Sequence, residues 1–370
     1  MKKLKIAVIA PLWVPVPPES FGGTEIVVSN LVEELVKKGH KVTLFASGES
    51  KTSAKLKSFI DVSICAQRNK GKKLLFDPRG KLYYDLGNHL KAFTEQEKFD
   101  VIHSHLGKVA IFFSSLLKVP LVVTQHIPFP GKGRQDLFKC FRDYNKHTYF
   151  IPISCNQVNV AEYKIAKIQP RIFNGINVNR HKFNLSPKDY FVFLGRIMPE
   201  KGTLEAVKAI SKVKGKLKIA GSVGNKKYFE RVKKYIDGKN IKYIKEVKFR
   251  EKNILLKNAK ALLFPIDWEE PFGLVMTEAM ACGTPVIAFK RGSVSEVVKH
   301  GKTGFIVPPL NKKGKTNIEG LVEAIKKIDQ IDRKECRRHV EENFTVKKMV
   351  DEYEKVYYKI IEDYKKKKRE

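Results

Sequence analysis

Cysteine is scarce in this chain: five among 370 residues, at Cys65, Cys140, Cys155, Cys282 and Cys336, odd in number and never spaced as CxxC. That excludes a disulfide framework and a structural zinc site built on CxxC pairs, and it points to a reducing, cytoplasmic setting. Long apolar runs are missing too. The most apolar late stretch, Val109 to Val123, is broken by Lys118 and Pro120, short of the roughly 20 residues a spanning helix needs. The apolar run that follows Met1-Lys2-Lys3 is too short for a signal peptide and reads as a buried strand, expected to stay on the mature protein. No GxGxxG occurs, and no DxD-type metal constellation stands in a suitable place. Gly301-Lys302-Thr303 resembles the tail of a P-loop, but Glu296 occupies the position where a glycine is required, and an apolar strand follows where a helix should. Acidic residues are outnumbered, 39 Asp and Glu against 72 Lys and Arg, for a formal net charge of +33. Such an excess draws a chain towards nucleic acid, an acidic membrane surface or phosphate-bearing substrates.

What is present is ample material for burial, with 42% hydrophobic residues in a chain too long for one core, so two domains are expected. Short β-branched runs alternate with amphipathic ones. Strands are expected at Lys5–Ala10, Lys41–Ala46, Asp100–His105, Leu121–His126 and Tyr149–Ser154, with a helix over Thr24–Lys38 that stops at Gly39. That alternation means βαβ units and a parallel sheet. The rhythm pauses through Arg171–Lys188, where a linker is expected, and resumes at Tyr190–Leu194. Further strands follow at Lys216–Ala220, Ile241–Ile244, Ala261–Ile266 and Thr284–Ala288, giving a second α/β domain. After Phe344, apolar residues at three- and four-residue steps predict one long helix ending in a basic tail, Lys365 to Glu370.

Open α/β sheets bind ligands beyond the carboxyl ends of their strands, so residues just after strands carry the functional information. Gly22-Gly23-Thr24 opens the first long helix, and paired glycines there let backbone amides approach a phosphate; a plain loop with Thr24 as N-cap reads equally well. Gly195-Arg196-Ile197-Met198-Pro199-Glu200-Lys201-Gly202 follows a strand and opens a helix, placing a guanidinium and an ammonium where a diphosphate would fit. The richest cluster is Pro265-Ile266-Asp267-Trp268-Glu269-Glu270-Pro271-Phe272-Gly273-Leu274-Val275-Met276-Thr277-Glu278. Glu270 is expected at a strand end and Glu278 about two turns into the next helix, both suited to sugar hydroxyls. Glu278 sits in the apolar run Leu274–Ala281, where an unpaired charge would be expensive.

In their order, EPFG…E, GRI…EKG, the amino-terminal GG-T-E with its helix ending Gly39-His40-Lys41-Val42, and Gly301-Lys302-Thr303-Gly304-Phe305 resemble family 4 (group 1) glycosyltransferases, over nearly the whole chain. The resemblance is nearest to the avilamycin-type subgroup. It implies an α/β GT-B fold: two Rossmann-like domains with parallel sheets facing across a crevice. The domains would be 1–184, with a C-terminal helix 354–370 packing back on it, and 185–353. It further implies Glu278 on the nucleotide ribose, Arg196 and Lys201 on the diphosphate with the Gly23 amide, and Glu270 and His126 beside the transferred sugar. Backbone contacts would come from Phe272, Gly273, Leu274 and Val275, and the nucleobase would lie near Val247. Two positions depart from the family pattern: Asn177 in Asn174-Gly175-Ile176-Asn177, where aspartate is common, and Lys245, where glycine is usual.

The implied reaction is a retaining transfer from a nucleotide diphosphate sugar, with UDP-sugar as the expected donor, to a glycan, lipid-linked or small-molecule acceptor, without a metal or other cofactor. Two rivals differ in what they require. A nucleotide-sugar epimerase of the same architecture would convert the donor without an acceptor. A nucleic-acid-binding protein would concentrate basic and aromatic residues in one element, whereas the lysines here are spread over nearly every helix. No nucleic-acid partner is therefore expected, and the basic surface is assigned to solvation and to peripheral contact with anionic lipid.

Overall fold

The computed structural model describes residues 2–19, 21–69, 78–127, 148–159 and 167–367. Cys140 and the end of the basic tail, Lys368-Arg369-Glu370, lie outside the described residues. The chain forms two compact units, Met1–Gly175 with Val346–Glu370, and Ile176–Thr345.

The first unit holds a parallel sheet of β1 (Lys5–Ile9), β2 (Lys41–Phe45), β3 (Lys55–Lys57), β4 (Val101–Ser104), β5 (Leu121–Gln125), β6 (Thr148–Pro152) and β7 (Lys167–Ile168), in the order β3-β2-β1-β4-β5-β6-β7. Ile6, Ala7, Val8 and Ile9 are all fully buried, the near-continuous apolar signature of a strand covered on both faces. Edge strands β3 and β7 were not anticipated, because three and two residues are too few to display a period. The helix Gly23–Lys37 buries Val27, Val28, Leu31, Val32 and Leu35 on one face. Its end is set at Gly39, whose φ of +86° favours glycine, while the His40 amide bonds the Leu35 carbonyl at 3.1 Å.

The long helix Val346–Lys367 belongs to this unit. Met349, Val350, Tyr353, Tyr357 and Ile360 are buried, and Lys38 clamps its polar side through Asp351 at 2.6 Å and Glu354 at 2.8 Å.

The second unit repeats the plan with β8 (Phe191–Leu194), β9 (Leu217–Ala220), β10 (Ile241–Tyr243), β11 (Leu262–Phe264), β12 (Val286–Phe289) and β13 (Gly304–Val307), all parallel, in the order β10-β9-β8-β11-β12-β13. In each sheet the strand order reverses beside the first strand, between β1 and β4 and between β8 and β11. Ligands of such sheets bind at those reversals.

The division between units differs from the expected 184/185 and 353/354. Residues 176–184 are tied to the second unit, through Ile176 N to Phe344 O at 2.8 Å, Asn184 N to Cys282 O at 3.2 Å and His181 to Asn253 at 2.9 Å. At the other end the last helix starts at Val346 and is continuous, so no division can fall within it at 353.

Candidate functional site

In the second unit, β8 ends at Leu194 and the chain runs through Arg196 into a 3-10 turn, Pro199–Lys201, ahead of the helix Thr203–Lys212. Gly202 makes the turn possible: its φ is +75°, and a Cβ there would come within 1.8 Å of the Pro265 carbonyl oxygen. The turn is thereby pressed against the loop that leaves β11. Lys201 Nζ donates to Glu270 Oε2 at 2.7 Å and lies 4.4 Å from the centroid of the Trp268 ring, while Trp268 Nε1 donates to the same Glu270 oxygen at 3.1 Å. Ammonium, indole and carboxylate therefore fix one another beside the strand reversal. Arg196 is not part of that cluster; it is exposed, its Nη1 directed to Met198 Sδ at 3.8 Å, with no carboxylate partner among the described residues.

Glu270 lies in the loop rather than at a strand end, since β11 stops at Phe264. A second loop, from β12, holds its backbone. Ser293 N bonds Glu270 O at 2.9 Å, Ser293 Oγ bonds Phe272 O at 2.8 Å, and Gly292 N bonds Glu269 Oε2 at 2.9 Å. A Cβ on Gly292 would meet Glu270 N at 2.4 Å, so this approach requires glycine. Gly273, with φ +75°, caps the helix Leu274–Ala281, leaving the first-turn amides, Leu274 and Val275 among them, without intrahelical acceptors. Such a helix end favours an anion. Phe272 is buried, whereas Gly273, Leu274 and Val275 are half-buried.

Glu278, only 8% exposed, is the charge that sequence reasoning required to be paired. Its partner is Lys252, Nζ to Oε1 at 2.6 Å. The two glutamates thus do not form a pair; each carboxylate answers to its own lysine. Val247 is half-buried in the stretch after β10, and the Lys245 backbone just before it has φ +63°, the left-handed region that explains why glycine is usual at that position.

The first unit places its expected residues at the corresponding strand ends. Gly22, with φ +133°, is the N-cap of the helix that Gly23 begins, so Thr24 lies inside the helix and Gly23 presents an exposed first-turn amide. His126, just past β5, shares a hydrogen bond with His105, Nε2 to Nδ1 at 2.8 Å, and the two rings stack. Desolvation lowers His126 to about 4, His103 to about 3 and His105 well below the ordinary value. These imidazoles are therefore neutral near pH 7. Their neighbours come from the last helix, Tyr357 Oη to His103 Nδ1 at 2.6 Å and Tyr353 Oη to Thr124 Oγ1 at 2.8 Å.

Sequence reading missed Lys252, the Gly292-Ser293 loop, His105 and the part played by Trp268. A signal existed for two of these: Arg291-Gly292-Ser293 directly follows β12, and His105 follows β4, both strand-end positions. Among the described residues no group of three or more His, Cys, Asp or Glu is arranged to hold a metal ion. No described helix is long and apolar enough to cross a membrane.

Residues 21–156 match the model of the family described as Glycosyltransferase Family 4, and residues 176–345 match that of Glycosyl transferases group 1. An uncharacterized glycosyltransferase of Methanocaldococcus jannaschii is 26% identical over 346 residues, covering 83% of this chain and 86% of its own. Among solved structures, a glycosyltransferase involved in avilamycin A biosynthesis aligns with a TM-score of 0.71 at 22% identity, covering 97% of this chain and 98% of its own. An Anabaena protein crystallised with UDP-glucose aligns with a TM-score of 0.69 at 17% identity, over 96% and 100% of the two chains.

Proposed function

The chain belongs to the group 1, family 4 glycosyltransferases, enzymes of the GT-B fold, and from that premise we propose that it transfers a sugar from a UDP-sugar, with retention at the anomeric carbon, to a hydroxyl-bearing glycan, lipid-linked or small-molecule acceptor. The observation that carries this reading is the Lys201–Trp268–Glu270 cluster beside the Gly273-capped helix end. It sets a cation and free amides next to a hydroxyl-accepting carboxylate, the combination a sugar diphosphate needs. The UDP-glucose bound by the Anabaena neighbour supports the choice of donor, and the avilamycin-type subgroup is the reading of the Trp268-bearing loop.

In the proposed reaction the diphosphate leaves from the face the acceptor enters, and its oxygen takes the acceptor proton. The protein then contributes mainly charge and position. Lys201, Arg196 and the Leu274 and Val275 amides stabilise the negative charge that develops on the leaving group. Glu270 receives hydroxyls of the transferred sugar once the diphosphate takes Lys201. Glu278, its Oε1 held by Lys252, keeps Oε2 for the ribose hydroxyls. The neutral His126 acts as a hydrogen-bonding group rather than a charged one. Val247 borders the nucleobase.

The route needs no metal, and the net charge of +33 suits a cytoplasmic enzyme in peripheral contact with anionic lipid. The deciding experiment is calorimetric binding of UDP, GDP and ADP, followed by a donor panel scored for hydrolysis and product configuration, with and without EDTA. UDP binding with retained configuration in EDTA is the expected result. Inverted product, an epimer formed without acceptor, or EDTA inactivation reversed by magnesium or manganese overturns it.

A further inference from the structure

Three imidazoles stand in a row at the ends of β4 and β5. His103 and His105 lie two residues apart along one strand and its end, so both project to the same face of the sheet, as do Thr124 and His126 on the neighbouring strand. The ring centroids of His103 and His105 are 4.2 Å apart, and those of His105 and His126 5.1 Å. His103 is held at both nitrogens, Nδ1 by Tyr357 Oη at 2.6 Å and Nε2 by Thr124 Oγ1 at 2.7 Å. The His105 backbone is pinned to β1 through Ile9 O at 3.0 Å. The row is therefore anchored at its inner end, while His126 at the outer end is half-buried.

Proton placement decides what this row presents. Burial lowers His105 well below its ordinary value and His126 to about 4, so near pH 7 each ring is neutral and carries one N–H. The two rings share one hydrogen bond, between His105 Nδ1 and His126 Nε2 at 2.8 Å, and one of these nitrogens must donate. If His126 Nε2 donated, the His105 proton would sit on Nε2, which is buried and has no hydrogen-bond partner. A buried N–H without an acceptor is rarer in folded proteins than a buried acceptor without a donor. Donation from His105 Nδ1 avoids that orphan and leaves the His126 proton on Nδ1.

We propose that His105 is a positioning residue that holds His126 as the Nδ1–H tautomer, so that the ring turns a donor rather than a lone pair towards the transferred sugar. The role at the sugar rests on the glycosyl-transfer reading; the tautomer does not. A neutral N–H can give its hydrogen bond to a sugar hydroxyl oxygen. It does so without setting a full positive charge beside the anomeric carbon, where positive charge develops as the diphosphate leaves.

Long-range proton–nitrogen NMR on the ligand-free full chain, labelled with nitrogen-15 in histidine, reads the tautomers directly. Signals are assigned by their loss in His105→Asn and His126→Gln. His126 is expected to show a protonated Nδ1 and an unprotonated Nε2, and His105 a protonated Nδ1. In His105→Asn the amide can donate in place of the imidazole, and His126 is expected to keep its pattern. In His105→Leu the donor is gone, and His126 is expected to shift towards the Nε2–H form. With a donor sugar that the chain accepts, His105→Leu should lower kcat about tenfold, the scale of one neutral hydrogen bond, at unchanged KM for the donor, and His105→Asn should restore most of it. The proposal falls if native His126 carries its proton on Nε2, if either ring is an imidazolium at pH 7, or if His105→Leu leaves the His126 tautomer as it was. A loss of kcat equal in the leucine and asparagine variants would reduce His105 to a packing role. Failure of the transferase reading shows separately, as absence of UDP binding and of transfer by the native chain, while the nitrogen signals still decide the tautomer.

Discussion

The two units share one order over six strands yet differ in the ionisable groups that surround their candidate residues. In the second unit the candidate residues carry formal charges in matched pairs, Lys201 with Glu270 and Lys252 with Glu278, each partly open to solvent. In the first unit burial drives a set of groups towards neutrality: His89, His103, His105 and His126 lowered, Glu25 and Asp85 raised. One topology therefore carries paired charges beside the candidate residues of one unit and desolvated groups in the other. The side chains beyond each strand decide which.

The largest expected effect breaks the charged side of that comparison. Lys201→Ala removes the cation and should lower donor turnover about a hundredfold or more, the scale of losing one preorganised donor to a developing charge; near-normal kcat in steady-state kinetics would remove Lys201 from the site. Glu278→Ala comes next. It deletes the ribose acceptor and should weaken UDP binding by roughly ten- to a hundredfold in calorimetry, with the amide exchange of the first unit unchanged.

Smaller effects probe the neutral side. Tyr357→Phe leaves His103 Nδ1 without its 2.6 Å partner in a buried setting and should destabilise the first unit by about 1–3 kcal/mol, read as faster native-state hydrogen exchange there and not in the second unit. The smallest effect concerns pH. A histidine lowered on folding contributes stability that is complete above its unfolded value near 6.5 and is lost as pH falls towards the folded value. A carboxyl raised on folding does the reverse: its contribution is present at low pH and lost as pH rises through about 7 for Glu25. Glu25→Gln should therefore slow hydrogen exchange in the first unit at pH 8, where the native carboxylate is buried and charged, and change little at pH 5. Equal effects at both values would show that Glu25 is not protonated in the folded chain.

The strand-end rule is local: the run Phe191–Leu194 followed by Gly195 and Arg196 singles out Arg196 and Lys201 as candidates without any tertiary knowledge, and the apolar run around Glu278 demanded a partner for it. The partner itself was hidden. Lys252 is one lysine among many, on a helix that ends well before Glu278, and nothing in its neighbours distinguishes it. The same applies to Gly292, which matters only because the Glu270 backbone lies against it.

From the sequence alone came the βαβ alternation, the existence of two domains with boundaries nine and eight residues from the observed ones, and the long last helix. These rest on periodicity and turn chemistry, which act over a few residues. Only the tertiary structure decided which carboxylate meets which lysine and that Gly292 lies against the Glu270 backbone. Those outcomes depend on contacts between distant segments, and burial, not residue type, sets the charge each group carries.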